Sequence, residues 1–220
     1  MNYKFILIVC TPRSASTTLQ RIINTIPNSN ITGENYGAIK SILECYKNIK
    51  KTLEITPKND NGEFISSYTL EKKNMKPCFY NIFNFNSIKT QIKQLIIDIM
   101  NNNENNKILG FKEIRWYNCI QLLDEFLELF PNTKIICHIQ EDVEKQSKST
   151  FFKLNESIYN YLETYTKQII EYSNNNKNCV LSTREKMFDF ENIKNISLFL
   201  DEPINEDEYL TIINNDPERK

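Results

Sequence analysis

The sequence predicts an α/β protein: a doubly wound parallel β-sheet flanked by helices, in a single domain over residues 1–220. Three observations carry that expectation. Apolar runs rich in Ile and Val stand at 5–10, 108–111 and 133–140, as strands buried on both faces of a parallel sheet require. Each run gives way to a polar junction and then to apolar residues at helical spacing. No internal repeat and no second domain interrupts this alternation.

The first strand, 5–10, stops at Pro12, and from Ser16 the chain turns helical, with Leu19, Ile22, Ile23 and Ile26 on one stripe until Pro27. The junction between them reads TPRSASTT. A loop in this position aims successive backbone N–H groups and the positive end of a helix dipole at one point, which suits a phosphate or sulfate. Arg13 supplies a fixed positive fork, and Ser14, Ser16, Thr17 and Thr18 supply hydroxyl donors. The plainer reading is a polar N-cap cluster between a core strand and a core helix. No glycine precedes Gly33, so the loop is not G-x-x-x-x-G-K-[ST].

Composition sets the outer bounds. A chain of 220 residues with 40% hydrophobic and 25% charged residues can bury one sizeable core. Its formal net charge of -1 gives no general attraction to nucleic acid or anionic lipid, so an anion site has to be local. Six cysteines stand singly without a C-x-x-C pair, which argues against a zinc site or a disulfide framework. The N-terminal apolar run is too short to span a membrane and runs into the polar loop, so the expectation is a cytoplasmic protein without a membrane partner.

TPRSASTTLQ resembles the 5′-phosphosulfate loop, P-[KR]-S-G-[ST]-[ST], of the sulfotransferases that use 3′-phosphoadenosine 5′-phosphosulfate (PAPS). Arg13 falls on its basic position and Ser14, Ser16 and Thr17 on its hydroxyl positions, while Ala15 stands where that family usually has glycine. The resemblance implies a P-loop NTPase-like sulfotransferase fold, with PAPS as co-substrate and no metal.

Residues 30–32 read as a short second strand, and Gly33 to Tyr36 as the turn into a helix carrying Ile39, Ile42, Leu43 and Tyr46. Glu34 then stands at a strand's carboxyl end, where such sheets bind ligands; the alternative is an acid favoured near a helix start. A G-E-N segment of some sulfotransferases is similar. A polar excursion is expected around 50–75, an aromatic run at 76–85 serves a core or an acceptor pocket, and the asparagines of 101–106 form a loop.

KILGFKEIRW places Lys112 and Arg115 where the strand 108–111 ends, at the same sheet edge as Arg13, unless they merely pair with Glu113. The segment G-F-K-E-I-R-W resembles one found in some sulfotransferases. An amphipathic helix at 119–130 ends at Pro131, and the strand 133–140 leads into a helix with acids in its first turn. That pair resembles the family's 3′-phosphate element, which implies Ser149, with Ser147 as fallback, for its serine and Gln140 in the position of its arginine. His138, the only histidine, reads as a hydrogen-bonded core residue before a catalytic one. Beyond it, Asn155 caps a helix with Ile158, Leu162, Tyr165 and Ile169, a strand starts at Cys179, and 193–200 resembles a closing family helix.

The expected activity is transfer of a sulfuryl group from PAPS to a hydroxyl or amine of a small molecule, glycan or protein. Arg13 and Lys112 would carry charge building on the leaving phosphate and Glu34 would take the acceptor's proton; Arg13, Ser14, Ala15, Ser16, Thr17, Thr18, Gln140 and Ser149 would hold the nucleotide. Two alternatives stay open: a non-catalytic nucleotide- or phosphate-binding protein of the same fold, and a small-molecule kinase, which would want a loop lysine and a strand-end aspartate that the sequence does not place there.

Overall fold

The computed structural model describes residues 3–55, 58, 60–62, 84–101, 105–152 and 157–216. Its strands are β1 (Lys4–Cys10), β2 (Ser29–Thr32), β3 (Ile108–Glu113), β4 (Thr133–Ile139) and β5 (Cys179–Thr183). They form one parallel sheet in the order β2-β3-β1-β4-β5, as the alternating pattern requires. From β1 the chain runs to the outer strand β2, returns to β3 beside β1 and then crosses to β4 on the other side. The carboxyl end of β1 is therefore beside the point where the winding reverses, the usual ligand crevice of such sheets.

Strand periodicity divides the core into two faces. Phe5, Leu7 and Val9 pack with the buried stripes of α2 (Ala38–Ile55), α3 (Phe85–Met100), α4 (Leu123–Leu129) and α6 (Ser157–Asn175). Ile6, Ile8 and Cys10 face α1 (Ser16–Ile23), α7 (Phe190–Leu200) and α8 (Glu206–Asn214). Leu19, Ile22 and Ile23 of α1 are fully buried here, each contributing about 1.5 to 3 kcal/mol of apolar burial, which fixes the helix that follows the loop after β1. Gly110 lets β3 lie against β1, since a Cβ there would stand 1.7 Å from the Ile6 carbonyl oxygen and 2.9 Å from Ile31 Cδ1.

Several element limits differ from the sequence expectation. Strand β3 runs on to Glu113, so Lys112 is a buried strand residue and not one emerging past its end. Strand β4 stops at Ile139 and leaves Gln140 just beyond it. The expected helix at 119–130 begins as a 3-10 turn, Ile120–Leu122. Helix α2 continues through 50–55, where the polar excursion was expected to begin; the rest of that excursion from 63 on, most of the aromatic run at 76–85 and Asn155 lie outside the described residues. Among the described residues, no helix is long and apolar enough to cross a membrane.

Candidate functional site

The loop after β1 has an unusual backbone. Arg13 and Ala15 both have positive φ, 64° and 60°, the left-handed conformation that favours glycine and costs other residues roughly 1 kcal/mol. Ala15 is the N-cap of α1, yet no side chain caps that helix. The first intrahelical bonds, from the N–H groups of Thr18 and Leu19, both reach the Ala15 carbonyl, so the N–H groups of Ala15, Ser16 and Thr17 lie ahead of them. By contrast α3, α7, α8 and α5 (Val143–Ser147) each start on an Asn or Asp whose side chain accepts a backbone N–H. The Ser and Thr residues of the loop thus do not act as the N-cap cluster that was the plainer alternative.

Two expected loop donors point elsewhere. Ser14 is buried and its hydroxyl donates to the Thr11 carbonyl at 2.7 Å, closing the turn. The Thr18 hydroxyl donates to the buried carboxylate of Asp216, beyond α8. Of the loop's hydroxyl residues, Ser16 and Thr17 line the site, and the Ser16 side chain is also hydrogen-bonded to the buried Cys10.

The loop is braced from two strands. His138 Nε2 donates to the Ser14 carbonyl at 2.7 Å, while Nδ1 lies 3.1 Å from the Ser182 hydroxyl, which donates to it in this tautomer. Burial pushes the His138 pKa down to about 4, and the bond to Ser14 offsets this only partly, so the ring is neutral at physiological pH. It acts as a core brace, as the preferred sequence reading has it. Gln146 on α5 adds a second brace: its Nε2 donates to Thr11 Oγ1 at 2.9 Å and to the Pro12 carbonyl at 2.6 Å.

Arg13 Nε donates to the Ser149 hydroxyl at 3.3 Å, bringing together two residues proposed for the nucleotide from opposite ends of the motif pair. The fallback, Ser147, instead donates to the Glu144 carbonyl one turn back. Gln140 is only 1% exposed, and its Oε1 is buried without a hydrogen-bond partner among the described residues.

On the other side of the loop, Lys112 Nζ donates to Glu34 Oε1 at 2.7 Å, and Arg115 Nη1 donates to Glu34 Oε2 at 3.0 Å and to Glu113 Oε1 at 2.7 Å. Glu113 Oε2 accepts the Gly37 N–H at 3.1 Å, which ties the β2–α2 turn to the end of β3. Burial alone would raise the Glu34 pKa, but Lys112, with Arg115 behind it, outweighs burial and holds the carboxyl below the usual range. The ion pair with Glu113 that was weighed as an alternative for Arg115 is present, and Lys112 joins the site by pairing with Glu34.

These groups enclose a small cavity of about 100 Å³, lined by Pro12, Arg13, Ala15, Ser16, Thr17, Glu34, Lys112, Ile114 and Phe151. Its size suits one tetrahedral oxyanion with room for a reacting atom beside it. A larger groove of about 820 Å³, with Tyr3, Lys93 and Asp98 on its walls, lies at the amino end of β1 and away from these groups.

A sulfotransferase family model matches residues 6–194 of the chain. No curated protein matches it in a sequence comparison. Among solved structures, the sulfotransferase domain from the curacin biosynthetic pathway superposes with a TM-score of 0.54 at 16% identity, covering 97% of this chain and 79% of that one. The mouse sulfotransferase SULT7A1 complexed with PAP gives 0.45 at 14% identity, covering 96% of this chain and 63% of that one. Sulfotransferase STF1 from Mycobacterium tuberculosis H37Rv gives 0.45 at 9%, covering 98% and 72%.

Proposed function

The chain belongs to the sulfotransferase family, and from that premise we propose that it transfers a sulfuryl group from PAPS to an acceptor hydroxyl or amine. The observation that carries this reading is the single cavity in which the uncapped start of α1, Arg13, Lys112 and Glu34 meet. PAPS would supply the activated sulfuryl group, on a phosphate that can leave.

The residues present fit such a molecule at its 5′ end. Arg13, Ser16, Thr17 and the N–H groups ahead of the first bond of α1 would hold the anion. Arg13 and Lys112 would offset charge growing on the departing phosphate, in a site whose donors are already positioned. Ser149, held by Arg13, and Gln140 would meet the more distant 3′ end. Glu34 would accept the acceptor's proton: both its oxygens are engaged by cations, yet each keeps a lone pair.

A thermal-shift series with PAP, PAPS and ATP·Mg²⁺ tests the reading, because a ligand that binds only the native state raises its melting temperature. PAP and PAPS should stabilise the protein and ATP·Mg²⁺ should not. Arg13→Ala, at an exposed loop position, should keep the apo melting temperature and weaken PAP roughly ten- to a hundredfold by calorimetry. Stabilisation by ATP·Mg²⁺ alone would make the protein a kinase-like nucleotide binder and overturn the proposal.

A further inference from the structure

The two halves of the loop after β1 are anchored differently. Residues 11–14 are held by the Ser14 hydroxyl, by His138 of β4 and by Gln146 of α5. Residues 15–18 begin α1 and carry the N–H groups that lie ahead of its first bonds; the helix has no side-chain cap and no acid in its first turn. Ser16 is hydrogen-bonded to Cys10, at the end of β1. The other anchor of this half comes from far along the chain: the Thr18 hydroxyl donates to Oδ2 of Asp216, and both residues are buried. Asp216 is itself fixed. It stands two residues past α8, its N–H donates to the Ile213 carbonyl at 3.3 Å, and Tyr209 and Ile213 are buried in one cluster with Leu19, Ile22 and Ile23 of α1. This anchor lies beyond residue 194, where the family match ends.

From the bond between Thr18 and Asp216 we infer that Asp216 is a positioning residue for the nucleotide: acting through Thr18, it holds the start of α1 so that the N–H groups of Ala15, Ser16 and Thr17 are aimed at the ligand before it arrives. The inference rests on the sulfuryl-transfer reading for its ligand and adds a residue to it. Asp216 touches neither nucleotide nor acceptor.

The backbone explains why a contact inside the helix reaches the ligand. Arg13 and Ala15 both stand at positive φ, a conformation that other residues than glycine keep only while their surroundings hold it. Ala15 is also the N-cap, so a rotation of the first turn of α1 re-aims all three N–H groups together. Hydrogen bonds weaken steeply away from their preferred angle, and donors fixed in advance cost no ordering when the anion binds. A carboxylate suits this task. It accepts a charge-assisted bond from the Thr18 hydroxyl and leaves the three backbone donors to the ligand, whereas an acid at the N-cap itself would occupy one of them.

Calorimetric titration of the full chain with PAP separates positioning from folding, because affinity is read in the folded molecules and any unfolded fraction appears as a lower stoichiometry. Asp216→Ala should weaken PAP about tenfold or more, while Asp216→Asn, whose amide oxygen accepts the same hydroxyl, should stay within about threefold of the parent or bind more tightly. Thr18→Val, alike in shape and without the hydroxyl, should weaken PAP as Asp216→Ala does, and the two changes together should cost little more than either alone. PAP affinities within about threefold of the parent in the Ala and Val variants, with lower melting temperatures, would make the bond purely structural and overturn the inference. Weakening by Asp216→Asn equal to that by Asp216→Ala, or full additivity of the two changes, would likewise overturn it. Should Asp216→Ala fail to fold, Thr18→Val decides alone by the same measure. A parent protein that does not bind PAP would overturn the transfer reading, and the positioning role with it.

Discussion

The buried ring of His138 holds the Ser14 carbonyl at 2.7 Å, so the loop after β1 rests on a neutral imidazole. Charging that ring inside the core is what acid would have to do.

The consequence is a stability that falls with pH in a defined window. The unfolded chain takes up the His138 proton near 6.5, while the folded chain resists until about 4. This contribution is complete above 6.5, declines as pH falls, and is lost below about 4. Between pH 6.5 and 5, where carboxylates scarcely titrate, it should amount to about 2 kcal/mol in urea unfolding. His138→Gln should be less stable at pH 7.5 but lack this slope. Equal slopes in the two proteins would place the proton elsewhere.

Glu34→Gln keeps the shape of the side chain and removes the base. Turnover with an acceptor should fall about 10²-fold or more with little change in PAP affinity. Because Lys112 is only 6% exposed and loses its anionic partner, the melting temperature should fall as well. In the parent protein the acid limb of the rate profile should lie below the ordinary carboxylate value of 4.5, since the Glu34 pKa is lowered. A variant that loses stability yet keeps its specific activity would make Glu34 a structural carboxylate.

Gln140 offers a sharper separation of stability from binding. Its Oε1 is buried without a partner among the described residues, and such an acceptor costs roughly 1 to 3 kcal/mol. Gln140→Met, of similar length and without the amide, should raise the melting temperature. If Gln140 serves the nucleotide, the same change should weaken PAP in calorimetry. An unchanged PAP affinity would remove Gln140 from the site.

Gly110→Ala should destabilise the protein by more than about 3 kcal/mol, because the added methyl meets the backbone of β1 and not a side chain that can move. Circular dichroism during urea unfolding measures the loss. A variant as stable as the parent would mean that β3 shifts along β1 at little cost.

What the sequence made legible was local. The strand–loop–helix of 4–23 is contiguous, and the apolar period marks both of its ends. Strand ends alone brought Glu34 and Lys112 towards one edge, although β3 runs two residues further than the apolar run at 108–111 and keeps Lys112 within the strand. What was missed depends on contacts across the fold. Nothing near Thr18 in sequence announces Asp216, 198 residues away. Gln146 lies on a helix of five residues, too short for a periodic pattern to show which face meets the loop. Helix α8 did carry a readable signal, Asn205 followed by Glu206, Asp207 and Glu208, an N-cap with acids in the first turn.

Strand β1 has a paired neighbour on each side and is buried on both faces from Phe5 onward, and the TPRSASTT loop is its direct continuation. Amides at the heart of such a sheet exchange with solvent only when the whole molecule opens, unlike those of peripheral loops that open alone. The loop after β1 thus starts from the last cooperative unit to melt. A substitution in distant core should leave the PAP affinity proposed above intact in each folded molecule and lower only the number of folded molecules.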